Sequence, residues 1–315
     1  MDVLTDVLET LRARAACYGR VHASAPWGLS VVGSEDAAFH FVIEGNCYLV
    51  VEGEAPIPLS GGDLVALPHG SPHALVDAVG TVPRRLDELL CKRESRGAAN
   101  LRVGGDGAHA TLVCGRIVLE DRANHPLLSA LPKVITLRDE ASRVIDWLEP
   151  TLSFLAAEAA STRPGAQTVV SRLADILFIQ IVRGHLASVS SDESGWLSSL
   201  QDPQIGSALG SIHRNPERAW TVQSLAESVA MSRSAFASRF ARLVGEPPLH
   251  YLTRWRMQKA RSLLRDGRAT LAEVAQSVGY DSEAAFSKAF KRAVGRAPGA
   301  YRRASRGNGV EVAAA

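Results

Sequence analysis

Two short stretches, fifty residues apart, place small and charged side chains at the spacing of a single helix face. Residues 232–252 read SRSAFASRFARLVGEPPLHYL and residues 282–302 read SEAAFSKAFKRAVGRAPGAYR. In the first, Phe236, Phe240 and Leu243 fall on one side of a helix, with Arg233, Ser234, Ala237 and Ser238 on the other. In the second, Phe286, Phe290 and Val294 fall inward, leaving Glu283, Ala284, Ser287, Lys288 and Lys291 outward. Small side chains let a helix lie close to base edges, and Arg, Lys, Ser and Glu can hydrogen-bond to bases or phosphates. A basic amphipathic helix taken singly is equally well a solvated surface helix. Two in register, in the strongly basic part of the chain, point to DNA.

Histidine and carboxylate side chains also stand near the start, at His40, Glu44 and His73. His73 closes the stretch GDLVALPHGSPH (62–73), and Ala38 stands two residues before His40. Cys91 and Cys114 flank a polar, Gly-rich stretch, residues 92–110, read as a mobile loop. The four cysteines form no CxxC pair, which suits reduced thiols in the cytoplasm.

These residues need elements to position them. Thr221 aligns with Thr270 at an offset of 49, one residue is inserted at Asp281, and Ser232 then aligns with Ser282 at an offset of 50. Each copy predicts a helix (222–229; 271–278), a tight turn and a second helix that begins at a Ser N-cap. Gly245 and Gly295 end these second helices, and Pro248 and Pro298 prevent their resumption. Helix, turn, helix is the arrangement that lodges its second helix in a major groove. Between the copies, LHYLTRWRMQKARSLLRDG (249–267) predicts a helix of roughly 25 Å. Such a spacer suits two reading helices about one DNA turn, ~34 Å, apart.

Charge separates the chain in two. Residues 1–195 hold 17 Lys and Arg against 24 Asp and Glu, a balance of −7, whereas residues 196–306 hold 18 against 8, a balance of +10. Only the back part is built to meet a polyanion. Residues 27–120 carry short Val-, Leu- and aromatic-rich runs between turn formers, which predicts a β sandwich or barrel. From about 138 the period becomes helical. Val144, Ile145, Leu148, Leu152, Phe154 and Leu155 form one stripe, and Val169, Leu173, Ile176, Leu177, Ile179, Gln180 and Leu186 a second, with STRPG between them. The expected class is α+β multidomain: a β-barrel or jelly roll with a helical hairpin, then an all-α domain with two helix-turn-helix units. The expected divisions are 1–135, the hairpin 136–190, the helical domain 196–306 and a flexible tail 307–315.

Residues 196–303 resemble the AraC/XylS-type DNA-binding domain, including the closing P-x-x-Y-R at Pro298, Tyr301 and Arg302. That resemblance implies base contacts from Arg233, Ser234 and Ser238, and from Glu283, Ala284, Ser287 and Lys288, with Lys291 beside them. Ala237 and Ser238 are smaller than the Gln or Arg often found there. Residues 62–73 resemble the second cupin motif, G-x5-P-x-G-x2-H, and AFHFVIEG part of the first, with Ala38 replacing its first His. The front of the chain is thus similar to the cupin-type sensor that precedes many AraC-type domains. The resemblance leaves His40, Glu44 and His73 of the cupin ligand set, which could hold a metal, satisfy one another in a core or line a pocket for a small-molecule effector. It also implies a homodimer through the hairpin, and RNA polymerase as a partner if the protein activates.

Neither a metal nor another cofactor is expected, because Ala38 leaves the cupin ligand set incomplete. The same gap weighs against the alternative of a cupin metalloenzyme, a dioxygenase or isomerase with an accessory DNA-binding domain. A front domain that only dimerises is a further alternative. No apolar run is long enough to span a bilayer, so a cytoplasmic regulator of transcription with an operator as its partner is the expectation.

Overall fold

The computed structural model describes residues 2–11, 13–91, 99–119, 122, 125–138, 148–159, 161, 163–188 and 195–311. In chain order they form α1 (Val3–Thr10), β1 (Ala13–Ser24), β2 (Gly28–Val31), β3 (Ala37–Glu44), β4 (Asn46–Val51), β5 (Ile57–Ser60), β6 (Leu64–Leu67), β7 (His73–Val76) and β8 (Arg84–Arg85). There follow α2 (Leu86–Cys91), β9 (Ala99–Gly104), β10 (His109–Leu119), α3 (Pro126–Ala130), β11 (Ile135–Leu137), α4 (Leu148–Ala159) and α5 (Ala166–Ser188). The remaining elements are helices: α6 (Trp196–Ser199), α7 (Pro203–Arg214), α8 (Val222–Ser228), α9 (Arg233–Val244), α10 (Pro248–Asp266), α11 (Leu271–Ser277), α12 (Glu283–Val294) and α13 (Pro298–Glu311). Residues 92–98 of the Gly-rich stretch, 139–147 at the start of the expected hairpin, 189–194 of the linker and 312–315 of the tail lie outside the described residues, as do the side chains of Cys17 and Cys91.

Two compact units result. One holds every strand with α2, α4 and α5; the other holds α1, α3 and all helices from Trp196 onward. The strands form a six-stranded sheet, β11-β6-β3-β10-β1-β9, and a five-stranded sheet, β5-β4-β7-β2-β8. Val21, Val42 and Leu112 from the first and Leu29, Leu49 and Leu75 from the second meet in one core, so the sheets stack as a sandwich. Both sheets end in open edges, and the pairs β1–β9 and β2–β8 are parallel. The closed barrel among the expectations is thus replaced by two mixed sheets. Part of the expected mobile loop is also strand: in 99–104 Leu101 and Val103 alternate with polar residues, and Leu101 buries its side chain in the core.

The described hairpin of α4 and α5 packs on β1 and β11. The buried residues of α5 are Ala166, Val170, Ala174, Leu177, Phe178, Ile181, Val182 and Gly184; of the expected second stripe only Leu177 is among them. Ile176 is 45% exposed and Phe154 53%. A Cβ at Gly184 would lie 2.9 Å from the methyl groups of Leu137 on β11. A glycine there allows the close approach, and Leu177, Phe178, Ile181 and Val182 fill the rest of the buried face.

In the helical unit the two copies repeat each other in detail. The first helix of each begins at a Thr capping box, Thr221 with Ser224 and Thr270 with Glu273. The second begins at Ser232 or Ser282, whose hydroxyl accepts from the amide of Ala235 or Ala285. It ends at a left-handed glycine, Gly245 (φ 86°) or Gly295 (φ 79°). Behind each, a phenylalanine pair meets a tyrosine of the next helix. Phe236, Phe240 and Tyr251 stack edgewise in the first copy, and Phe286, Phe290 and Tyr301 in the second.

Candidate nucleic-acid interface

The aromatic pairs settle which way α9 and α12 face. Phe236, Phe240, Phe286 and Phe290 are fully buried, so the opposite faces are outward. Arg233, Ser234 and Ser238 are exposed on α9, with Ala237 half-buried. Glu283, Ala284, Lys288 and Lys291 are exposed on α12, and Ser287 is half-buried. All eight predicted residues thus lie on the two second helices, in the first three turns of each. Arg233, Lys288 and Lys291 have no hydrogen-bond or ion-pair partner among the described residues. Their charges are open to a phosphate or a base.

Three devices hold these helices that the repeat pattern did not reveal. Arg239, on the side of α9, donates to Asp202 at 2.6 Å and to Gln204 at 3.0 Å, while Gln204 donates to the Val229 carbonyl. Asp202 also caps α7, accepting from the amides of Gln204 and Ile205. Its burial raises its carboxyl, but these amides and Arg239 outweigh that and hold it below the usual range. Asp-Pro before a helical run was a legible cap signal; its Arg239 partner, 37 residues on, was not. Arg256 of α10 donates to the carbonyls of Pro216 and Arg218, and so fixes the loop between α7 and α8. Gly279, in the turn of the second copy, passes so close that a Cβ would meet Arg256 Nη2 at 2.5 Å and the Glu217 carbonyl at 2.6 Å.

A buried chain of hydrogen bonds backs the first copy. The Trp196 indole N–H can only donate, so Tyr251 Oη accepts it at 3.0 Å, and the same hydroxyl shares a hydrogen bond of 2.7 Å with His213 Nε2. His213 stacks on Trp255 with ring centroids 3.9 Å apart. Burial, with Lys259 nearby, lowers His213 to about 3, so the ring is neutral. Asp6 of α1, at 3.8 Å from His213 Nδ1, is therefore a polar neighbour and not an ion-pair partner. His125 is likewise lowered to about 3, chiefly by burial, and bonds the Thr10 hydroxyl at 3.1 Å.

In the sandwich, His40 on β3 and His73 on β7 meet from opposite sheets, with Nε2 atoms 2.7 Å apart. Burial holds His40 well below the usual imidazole range, with His73 adding to the effect, and burial lowers His73 too. Glu44 does not join them; it is exposed at the end of β3. Ala38 and His40 line a cavity of about 170 Å³. A cupin metal needs three or four such ligands. Two imidazoles bonded to each other, with Ala38 beside them and Glu44 turned out, do not fit one, and no cluster of three His, Cys, Asp or Glu occurs among the described residues.

Comparison with known proteins agrees with both halves. A cupin family model matches residues 2–187 and a helix-turn-helix domain model matches residues 225–304. A Streptomyces lividans protein named as an AraC-like transcription regulator is 36% identical over 307 residues, which cover 96% of this chain and 98% of its own. The HTH-type transcriptional regulator AlkR of Acinetobacter baylyi is 30% identical over 307 residues, covering 97% of this chain and 100% of its own. The HTH-type transcriptional regulator MtrA of Neisseria gonorrhoeae is 31% identical over 306 residues, covering 96% and 98%. With two capped, outward-facing second helices behind a cupin sandwich, and relatives matched along almost their whole length, the chain belongs to the AraC-like family of DNA-binding transcription regulators.

Proposed function

We propose that each chain reads two successive major-groove segments of its operator, one with α9 and one with α12. The contacts assigned are Arg233, Ser234 and Ser238 from the first and Glu283, Ala284, Ser287, Lys288 and Lys291 from the second. The observation that carries this reading is the duplicated mounting: the same cap, stop and aromatic lock hold both helices with their charged faces open. The 19 residues of α10 supply a spacer of about 28 Å. The cupin unit is read as a sensor and not as an enzyme, with the cavity beside His40 as the effector's place. Residues 1–135 then sense, 136–190 carry the dimer contact, 196–306 bind DNA, and the chain acts in the cytoplasm. The outward Phe154 and Ile176 support a second copy as the partner of the hairpin. An activating role would add RNA polymerase.

Selection of DNA from a random pool by the full-length protein tests the reading. Two half-sites, each with two conserved segments about one turn apart, are expected. One conserved segment per half-site would remove α9 from sequence reading, and unselected DNA would remove both helices.

A further inference from the structure

Two cores share α10. Tyr251 and Trp255 pack on the side of the first copy, Tyr251 against Phe240 and Trp255 against His213 of α7. Met257, Ala260 and Leu264 belong to the core of the second, with Phe286 and Phe290. The shared helix sets how far apart the copies sit along its axis. It does not by itself set their phase, because two bodies packed on one helix can still roll about it unless a contact off the axis ties them.

Arg256 supplies that contact. It stands at the change-over, between Trp255 of the first core and Met257 of the second. Its Nε donates to the Pro216 carbonyl at 2.7 Å and its Nη2 to the Arg218 carbonyl at 2.9 Å, in the loop that leads into α8. The same guanidinium serves the second copy: Cζ is 5.9 Å from the ring centroid of Tyr280, within reach of a cation–π contact. Tyr280 in turn meets Phe286 of α12 edgewise, with centroids 5.9 Å apart. The two segments also approach each other directly, for a Cβ on Gly279 would meet the Glu217 carbonyl at 2.6 Å.

Building on the reading of bases by both α9 and α12, we infer that Arg256 is the positioning residue that fixes the separation and phase of these two helices, and with them the operator spacing the chain accepts. Lysine would keep the charge but bring one nitrogen to two carbonyls. A base pair inserted between the two DNA segments moves the second by about 3.4 Å and ~35°. A rigid pair of helices refuses that mismatch, and a loose pair absorbs it.

Spin labels on azido amino acids at positions 242 and 292, exposed counterparts on α9 and α12, read the pair in the full-length protein without DNA. One narrow distance distribution is expected for the unsubstituted protein, and a broader one for Arg256→Lys. Gel-shift titrations then compare the selected operator with versions one base pair longer or shorter between the segments. The unsubstituted protein should lose at least roughly tenfold in affinity on the altered spacings, and Arg256→Lys less than about threefold. Tyr280→Leu keeps the carbonyl fork and removes the ring, so it should fall between the two in both measurements even if the lysine variant does not fold. Salt dependence should be the same in all three, since no phosphate contact is lost.

A distribution already broad in the unsubstituted protein, or equally narrow in both variants, would overturn the inference. So would an equal loss at every spacing with a shallower salt slope, the mark of a phosphate contact. The two-segment reading fails separately: variants that broaden the distribution of a protein selecting one conserved segment would sustain Arg256 as the tie and remove one helix from base reading.

Discussion

The two helix-turn-helix units share a mounting but differ in what they carry. At the turn, the first uses Ala230 at φ 53° where the second uses Gly279 at φ 76°. On the second helix, Arg239 of the first is committed to Asp202 and Gln204, and its counterpart at the offset of 50 is Ala289. Ser238 of the first corresponds to Lys288 of the second, and Ala241 to Lys291. The first copy commits Arg239 to bracing its helix from the side and leaves Arg233 open, whereas the second has Ala289 in place of that brace and leaves two lysines open. The mounting is duplicated, but the charge on the two outward faces is not.

The largest effect expected from disturbing this pair is at the turn of the second. Gly279→Ala should cost about 3 kcal/mol of stability, since a left-handed Ala is strained and its Cβ meets the Glu217 carbonyl at 2.6 Å. Urea unfolding followed by tryptophan fluorescence reads it, and a cost near zero would mean that the turn has room to move. On the reading faces, Lys288→Ala should weaken operator binding by about 1–3 kcal/mol and reduce its salt dependence. Ser238→Ala should do less than half of that. Equal losses by titrated gel shift would dissolve the contrast between the copies.

Acid should act through the buried histidines, and His213 carries that effect into the first unit. His213 is neutral when folded, with its value lowered to about 3, and takes up a proton near 6.5 when unfolded. The unfolded state thus binds more protons below about pH 6.5. Stability is full above that pH and falls by about 1.4 kcal/mol per pH unit per histidine as pH drops further. His125 adds a second such slope, and His40 and His73 in the sandwich add slopes of the same sign. His213→Phe should flatten the dependence without abolishing it, as measured by unfolding between pH 7.5 and 5. The smallest effect runs the other way. Ala230→Gly should gain about 0.5–1 kcal/mol, the relief of a left-handed Ala less the entropy that Gly adds to the unfolded chain. An unchanged or lowered midpoint would show that the first turn is not strained.

How much of this the sequence disclosed follows from how local each signal is. Caps, stops and the phenylalanine period act within a few residues, so α8, α9, α11 and α12 and their outward faces could be read directly. The strands β3, β4, β6 and β10 were legible as strands, whereas β1, β9 and β11 lie outside the runs that read so. Whether strands close into a barrel depends on pairings far apart in the chain, and two open sheets formed instead. On α5 only Leu177 of the expected stripe is buried, because the face that packs is the adjacent one of Val170, Ala174, Phe178, Ile181 and Val182, which brings Gly184 against Leu137. In the sandwich, His40 and His73 come together as the cupin resemblance implied, and Glu44, exposed at the end of β3, does not join them. The Arg239 fork and the Trp196–Tyr251–His213 chain join residues 35 to 55 positions apart, beyond the reach of any periodicity.

The helical unit is not one continuous piece of chain. Val3 and Val7 of α1 and Leu127 and Leu128 of α3 are buried within it, and Arg265 donates to the Thr10 carbonyl at 2.9 Å. The chain passes between the two units four times. A hybrid regulator joined near residue 195 would therefore inherit its DNA-binding core from two parents, with α1 and α3 from one and the helices they cover from the other. Exchanging the sensor of this chain means replacing two segments, 11–124 and 131–188, and keeping three, not making a single splice.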